Sequence, residues 1–206
     1  MHPKLQLLLD TLKWFHLMNE GVIKYSYTQH STLLPDSVSI NHLNRWRTRL
    51  HTYNLLGVYD NGVGFGNVSR RYLLNQFYIT ASATGKNAVL DSQAYVLVTH
   101  VDIENNHVGY MGKMTPSSES LTHSEIYQAA PHARYVLHVH SPLLWNKYKD
   151  QLPTTSEQVP YGTPAMALEV KQLLRTITSK EPQVIVMGGH TDGLIAYGSN
   201  LDKTGK

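Results

Sequence analysis

Two histidines separated by one residue are the clearest chemical signal in the sequence. His138 and His140 lie in the short apolar stretch of residues 136–141, which is typical of a β-strand. Successive side chains of a strand point to opposite faces, so both imidazoles project from the same face of a sheet. Imidazole is the commonest metal ligand, and this pair supplies half of a metal site. With 12 His in 206 residues, two hydrogen-bonded histidines at a sheet edge are the alternative interpretation.

Glu119 and His190 are the residues that could complete such a site. Glu119 follows Ser117 and Ser118, either of which can cap a helix predicted over residues 120–130. The N–H groups of the first turn, together with the helix dipole, attract an anion beside Glu119. His190 follows a short buried strand and two glycines, whose backbone freedom can aim its imidazole inward. His190 is therefore the candidate third ligand.

The elements that must position these side chains alternate between helical and strand periodicity. We predict helices over residues 3–20, over residues 40–56 with Ser39 as the cap, over residues 120–130, and from Thr163 onward. We predict strands around Tyr25, at residues 72–80, 93–101, 136–141, 184–187 and 194–197, and a hairpin over residues 102–112. The glycine-rich residues 60–69 are either a plain hairpin turn or a ligand-binding loop, and residues from Asp202 onward are predicted to be a frayed tail.

This inventory predicts a single α/β domain in which helices cover a mixed or antiparallel sheet. The short connections make most neighbouring strands antiparallel. The length of 206 residues fits one domain with a sizeable core.

Composition excludes several classes of function. The chain has no Cys, which excludes disulfides, thiolate zinc sites and a Cys nucleophile. The net charge is only +3, and the small arginine clusters at residues 45–49 and 70–71 are predicted to lie on solvated faces, so a nucleic-acid surface is not expected. Charged residues interrupt the apolar pattern of residues 1–20, and no run of about 18 apolar residues occurs anywhere. We expect a soluble, cytoplasmic protein with no membrane partner.

Six short motifs occur in an order and spacing that resemble the class II aldolase/adducin family. They are Gly66-Asn67-Val68-Ser69, Thr84-Gly85, Pro116-Ser117-Ser118-Glu119, His138-Val139-His140-Ser141, Pro160-Tyr161-Gly162-Thr163 and the turn that contains His190. The resemblance covers residues 40–200 as the family core, preceded by a helix and extension at residues 1–39. It implies a three-layer α/β/α fold with a central, mainly antiparallel sheet, and assembly as a homotetramer.

The resemblance also implies a role for each matched residue. His138, His140 and His190 would hold a divalent metal, most commonly Zn²⁺, and Glu119 would be the catalytic acid/base beside it. A phosphate or carboxylate group of a small-molecule substrate would be bound by Asn67, Thr84, Gly85, Ser117 and Ser118. The implied activity is that of a metal-dependent lyase in carbohydrate metabolism, which cleaves or forms a C–C bond in a small hydroxylated carbonyl compound through an enediolate. An epimerase or dehydratase with the same metal site, and an adducin-like scaffold without catalysis, are the alternatives.

Two departures from the family pattern leave alternatives open. In the aldolases the third histidine directly precedes the glycine of the last turn, whereas here Asp192 has that position and His190 lies two residues earlier. Either residue could complete the metal site. The second departure is a shortened stretch between His140 and Tyr161, where some aldolases place a catalytic tyrosine. Tyr148 or Tyr161 could substitute for it, although packing is the simpler role for both. His123, one turn after Glu119, is either a support for the site or a surface residue.

Overall fold

The computed structural model describes residues 21–35, 40–180 and 182–206. The strands are β1 (Ser26–Ser31), β2 (Gly57–Val58), β3 (Gly64–Phe65), β4 (Asn67–Arg71), β5 (Phe77–Thr80), β6 (Tyr95–Asp102), β7 (His107–Met111), β8 (Tyr135–His140), β9 (Gln183–Val186) and β10 (Gly193–Gly198). The helices are α1 (Asn41–Thr52), α2 (Ser120–Ala129), α3 (Pro142–Tyr148), α4 (Pro164–Leu174) and α5 (Leu201–Thr204). The helix predicted over residues 3–20 lies outside the described residues, and so does Ser39, the predicted cap of the next helix.

Eight strands form one sheet in the order β1-β7-β6-β5-β4-β8-β10-β9. Neighbouring strands are antiparallel except β1 and β7, which run parallel. β2 and β3 form a separate small hairpin. The prediction of a mixed, mainly antiparallel sheet is confirmed, and so is the hairpin predicted over residues 102–112, since it joins β6 to β7.

Helices cover both faces of the sheet, which confirms the three-layer α/β/α fold. In β8, Val136 packs in the core that contains α2 and α4, whereas Leu137 packs on the other face in the core that contains α1. His138 and His140 continue the face of Val136 because side chains alternate along a strand. Both histidines therefore face the same layer as α2, at whose start Glu119 lies. None of the helices in the described ranges is long and apolar enough to cross a membrane.

Among the segments that differ from the sequence-based prediction, two have a cause that is visible in their contacts. The strand predicted over residues 72–80 is wrong in its first half, because Gln76 N–H donates to the Leu73 carbonyl (2.7 Å) and closes a turn between β4 and β5. The frayed tail predicted from Asp202 onward is also wrong. Residues 201–204 form α5, in which Leu201 is buried, and the Asp202 carboxylate accepts a hydrogen bond from Trp46 Nε1 (2.7 Å).

Candidate metal centre and substrate cleft

Three histidines meet at the end of β8 beside the start of β10. His138, His140 and His190 are at most 3% exposed, and their candidate ligand nitrogens all lie within 4.8 Å of one another. The ring centroids are 4.6–4.9 Å apart. His138 and His140 lie on the same face of β8 because side chains alternate along a strand. His190 comes from the turn before β10.

Hydrogen bonds determine which nitrogen of the strand histidines faces the centre of this cluster. His138 Nδ1 lies 3.1 Å from the Leu194 carbonyl, which can only accept, so Nδ1 carries the proton and the lone pair is on Nε2. His140 Nδ1 lies 2.6 Å from Tyr59 Oη. The two Nε2 atoms are 3.0 Å apart and point toward one region of space. Two imidazoles in this arrangement can either hydrogen-bond to each other or bind the same metal ion.

His190 is carried by a turn that requires glycine at two positions. A Cβ at Gly188 would lie 2.0 Å from the Thr155 carbonyl oxygen, and one at Gly189 would lie 1.8 Å from that of Val159. The turn is therefore packed backbone to backbone against residues 155–159. Of the two alternatives for the third ligand, the structure brings His190, and not Asp192, into the histidine cluster.

Glu119 is a buried carboxylate beside this cluster. It is 2% exposed, and its Oε1 lies 3.9 Å from His190 Nδ1. Glu119 itself occupies the N-cap of α2 without a side-chain capping bond, so the prediction that Ser117 or Ser118 caps this helix is wrong. The reason is a tight turn, in which Ser120 N–H donates to the Ser117 carbonyl (3.0 Å), so that the helix begins one residue beyond the reach of either serine.

All five residues that the resemblance assigns to phosphate or carboxylate binding line one cleft of about 260 Å³, together with Glu119 and His138. They are Asn67, Thr84, Gly85, Ser117 and Ser118. Asn67 Oδ1 is buried, and no hydrogen-bond partner for it occurs in the described part of the chain. A buried amide oxygen without a partner is costly unless a bound molecule satisfies it.

The glycine-rich residues 60–69 fit both interpretations of the sequence. Residues 57–65 form the β2–β3 hairpin, and Gly62, Gly64 and Gly66 also line the cleft. The hairpin packs closely on the opposite wall, because a Cβ at Gly85 would lie 2.1 Å from the Gly57 carbonyl oxygen. Only glycine fits at position 85.

The wall that contains Thr84 is supported by Arg47, which the sequence did not single out. Arg47 is 1% exposed, and its guanidinium donates to the carbonyls of Thr84 and Ala88 at 2.9 Å each and to that of Asn87. Arg71 is likewise turned inward and donates to the carbonyls of Ala133 and Tyr127. The prediction that both arginine clusters lie on solvated faces is therefore wrong for these two members.

His123 lies beneath the site and not at the surface. It is fully buried, its Nδ1 lies 2.7 Å from Ser69 Oγ, and that hydroxyl lies 2.7 Å from Tyr127 Oη. Burial, and to a smaller extent the nearby His138, hold the pKa of His123 well below its usual range. His123 is neutral in the folded protein at neutral pH.

The two candidate tyrosines have different surroundings. Tyr161 is 2% exposed and stacks on the His190 ring, with centroids 4.0 Å apart and an interplanar angle of 19°. Tyr148 packs in a small apolar cluster with Trp145 and Val186. Tyr59, which contacts His140, was missed because nothing in its sequence neighbourhood marks it as different from other tyrosines.

A divalent cation fits the three histidines by their chemistry. Three imidazole nitrogens are a common protein ligand set for Zn²⁺ and leave one coordination position open. Burial, followed by the neighbouring His190 and His138, holds the pKa of His140 well below its usual range. His140 is then neutral, as metal binding requires of a histidine ligand.

The fold is shared with several solved structures. L-fuculose 1-phosphate aldolase is similar over 84% of this chain and 80% of that chain, with a TM-score of 0.61 and 20% sequence identity. YgbL from Klebsiella pneumoniae is similar over 82% of this chain and 84% of that chain, with a TM-score of 0.55 and 17% identity. An aldolase II superfamily protein from Pseudomonas syringae is similar over 82% of this chain and 72% of that chain, with a TM-score of 0.51 and 18% identity.

No curated protein sequence matches the chain, and the low identities to the solved structures limit that likeness to the fold. A match at the level of the sequence family does exist. The profile of the Class II Aldolase and Adducin N-terminal domain matches residues 56–205, which is more than half of the chain and includes all three histidines and Glu119. The chain belongs to the class II aldolase and adducin family.

Proposed function

We propose that this protein is a metal-dependent lyase of the class II aldolase type. Its substrate is a small hydroxylated carbonyl compound that carries a phosphate or carboxylate group. The observation that supports this most directly is the position of Glu119, whose buried carboxylate lies 3.9 Å from His190 in the three-histidine cluster and lines the same cleft as His138. A potential base, a potential metal site and a substrate-sized cleft thus meet at one place.

The residues divide the work of C–C bond cleavage between them. His138, His140 and His190 hold the cation, most commonly Zn²⁺, which when bound supplies a Lewis acid for the charge that develops on the substrate oxygens as an enediolate forms. Glu119 removes and returns the proton in the same cleft. Asn67, Thr84, Gly85, Ser117 and Ser118 bind the anionic group and hold the reacting carbons near Glu119.

Two other activities are compatible with the family. An epimerase or a dehydratase would use the same histidines and the same carboxylate, so these differ in substrate and not in site. An adducin-like scaffold would need neither. The burial of Glu119 and of all three histidines favours an enzyme, because ionisable groups are costly to bury and a scaffold without catalysis would not need them there.

We further propose that the whole chain is one domain, residues 1–39 preceding the core at 40–200, and that it acts as a cytoplasmic homotetramer. Exposed large apolar side chains on several loops support self-association, among them Leu33, Leu73 and Leu74.

Metal content is the experiment that tests the proposed function. We expect about one equivalent of Zn²⁺ or a similar divalent ion per chain in the untagged protein by elemental mass spectrometry, since three histidines form one site. His138→Ala and His190→Ala should each lose it. His100→Ala is the matched control, because His100 is exposed and outside the histidine cluster. Absence of metal after reconstitution would favour the scaffold, and full occupancy in His190→Ala would remove His190 from the site.

A further inference from the structure

We propose that Lys24 and Tyr161 are positioning residues that fix the ring plane of His190. This inference rests on the proposed metal site. It concerns how the third ligand is held, given that His190 lies two residues away from the family position of the third histidine.

The three side chains form a stack. The Tyr161 ring lies 4.0 Å from the His190 ring at 19°, which is nearly parallel. Lys24 Nζ lies 3.9 Å from the centroid of the Tyr161 ring. Since His190 covers one face of that ring at contact distance, the ammonium group occupies the other face. The order of groups is therefore Lys24, Tyr161, His190 and then the centre of the histidine cluster.

Hydrogen bonds hold Lys24, the outermost member of the stack, in place. Lys24 Nζ also donates to the Tyr161 carbonyl (2.9 Å), so it contacts the ring and the backbone of the same residue. The Lys24 carbonyl accepts from Asn106 Nδ2 (2.8 Å). The next residue, Tyr25, donates from Oη to the Ser117 carbonyl (2.8 Å). Lys24 is thus fixed between the β6–β7 connection and the turn that carries Glu119.

His190 has a particular need for such support. The ring orientation of the strand histidines is restricted by β8 and by contacts at Nδ1 with Leu194 and Tyr59. His190 comes from a turn, and rotation about its Cβ–Cγ bond is intrinsically broad. An imidazole lone pair lies in the plane of the ring, so rotation moves it away from the metal. A parallel ring at 4.0 Å restricts that rotation.

The stack also gives a function to a segment that the sequence left without one. Lys24 lies outside residues 56–205, which match the family profile. Gly21 and Val22, just before it, line the substrate cleft. The segment at residues 21–25 therefore contributes to the same site from outside the matched region.

Binding of Co²⁺, followed by its visible absorption, tests this inference on the full chain. Tyr161→Leu removes the ring plane and should weaken Co²⁺ binding by about 10–100-fold, the range found when outer-shell partners of metal ligands are lost, and it should change the shape of the absorption bands. Lys24→Met should weaken binding by roughly two- to fivefold. Tyr161→Phe keeps the ring and should match the unmodified protein.

Tyr197→Leu is the control for simple loss of packing. Tyr197 is 1% exposed in the same core as Tyr161 but has no ring contact with His190 among the described residues. It should lower thermal stability and leave the Co²⁺ affinity unchanged. Equal losses of affinity in Tyr161→Leu and Tyr197→Leu would overturn the inference, and so would unchanged affinity in Tyr161→Leu.

The proposed function can fail separately. If the unmodified protein binds no Co²⁺, both the function and the stack are wrong. If it binds Co²⁺ and the variants bind equally well, only the stack is wrong. Should Tyr161→Leu fail to fold by circular dichroism, Lys24→Met decides, and an affinity equal to that of the unmodified protein overturns the inference.

Discussion

His138 Nε2 and His140 Nε2 lie 3.0 Å apart, so a proton or a cation must lie near both nitrogens. Two lone pairs at this distance would repel, so either a neutral tautomer of one ring donates its N–H to the other ring, or a cation lies near both nitrogens. Protonation of the site is opposed, because burial and the neighbouring imidazoles lower the pKa of His140. A divalent cation removes the repulsion while all rings stay neutral. At the scale of single residues, the site therefore favours neutral imidazoles, the form that a metal ion requires of its ligands.

Replacement of Glu119 by Gln separates metal binding from proton transfer. Gln keeps the volume and one oxygen but cannot accept a proton at neutral pH. We expect Glu119→Gln to retain its metal and to lose activity by about 10²–10⁴-fold, the usual contribution of general acid–base catalysis. The measurement is exchange of the α-protons of dihydroxyacetone phosphate with D₂O by proton NMR, since this compound carries carbonyl, hydroxyl and phosphate groups. Exchange at the unmodified rate would exclude Glu119 as the base.

The predictability of individual residues depended on how local their signal was. The period of two that places His138 and His140 on one face is contained in three residues, so the sequence was sufficient. The bond from Tyr59 to His140 spans 81 positions, and that from Lys24 to Tyr161 spans 137. No local pattern encodes such contacts. The sequence predicted His190 as the third ligand but left Asp192 as an alternative, because the path of the turn at residues 188–193 could not be predicted.

Helix α1 shows why an element can be predicted well and one of its residues misplaced. Its apolar positions include Leu43 and Leu50, and Arg47 lies four residues after the first and three before the second. That spacing places Arg47 on the buried face. The arginine was assigned to solvent by residue type, although its position in the helix indicated the opposite. What it contacts there, the backbone of residues 84–88, could not be predicted from the helix alone.

Arg47→Met should loosen the wall of the cleft that carries Thr84 and Gly85. The substitution leaves the carbonyls of Thr84, Asn87 and Ala88 without their guanidinium donor. We expect the free energy of unfolding to fall by about 1–3 kcal/mol. Urea denaturation followed by circular dichroism measures this.

Arg45→Met is the matched control for Arg47→Met. Arg45 is exposed on the same helix, and its loss should change the free energy of unfolding by less than about 0.5 kcal/mol. If the two variants unfold at the same urea concentration, Arg47 does not hold the loop.

Other elements were predicted where their chemistry was local. Thr163 was identified as a cap, and its Oγ1 accepts from Met166 N–H (3.3 Å). The boundary between β4 and β5 was misplaced because residues 72–76 include the apolar residues Leu73 and Leu74, which continue a strand-like pattern. Leu74 has a positive φ of 49°, which leucine rarely adopts. The residue type therefore gave no indication of a turn.

At the scale of the whole molecule, the buried titratable groups of the site concentrate on one side of the sheet. Glu119 and His123 come from the start of α2, and His138 and His140 come from β8 on the same face. The opposite face is covered by α1 and an apolar core that includes Leu43, Val68 and Leu137. Apolar cores stabilise both layers, and the layer of α2 also carries polar groups whose burial opposes folding unless their charges are suppressed or neutralised.

This distribution predicts that the metal-free protein loses stability in acid. We expect the titration of His123 to cause part of that loss. The folded pKa of His123 is lowered, chiefly by burial. In the unfolded chain the same imidazole takes up a proton as the pH falls through about 6.5. The unfolded state then binds more protons, so the stability present above pH 6.5 decreases by up to about 1.4 kcal/mol per pH unit for this one group until the folded pKa is reached. The measurement is the free energy of unfolding by urea from pH 8 to pH 5 in EDTA.

His123→Gln should reduce the slope of the free energy of unfolding against pH by an amount equivalent to the uptake of up to one proton. The Gln amide can still hydrogen-bond to Ser69 but does not titrate. His100→Gln is the control, because His100 is exposed in the folded protein. This substitution should leave the slope unchanged. An identical slope in His123→Gln and the unmodified protein would mean that acid acts elsewhere. A reduced slope would show that the polar layer beneath the site makes the stability of the fold depend on pH, and added metal should then oppose acid unfolding by holding the neighbouring imidazoles neutral.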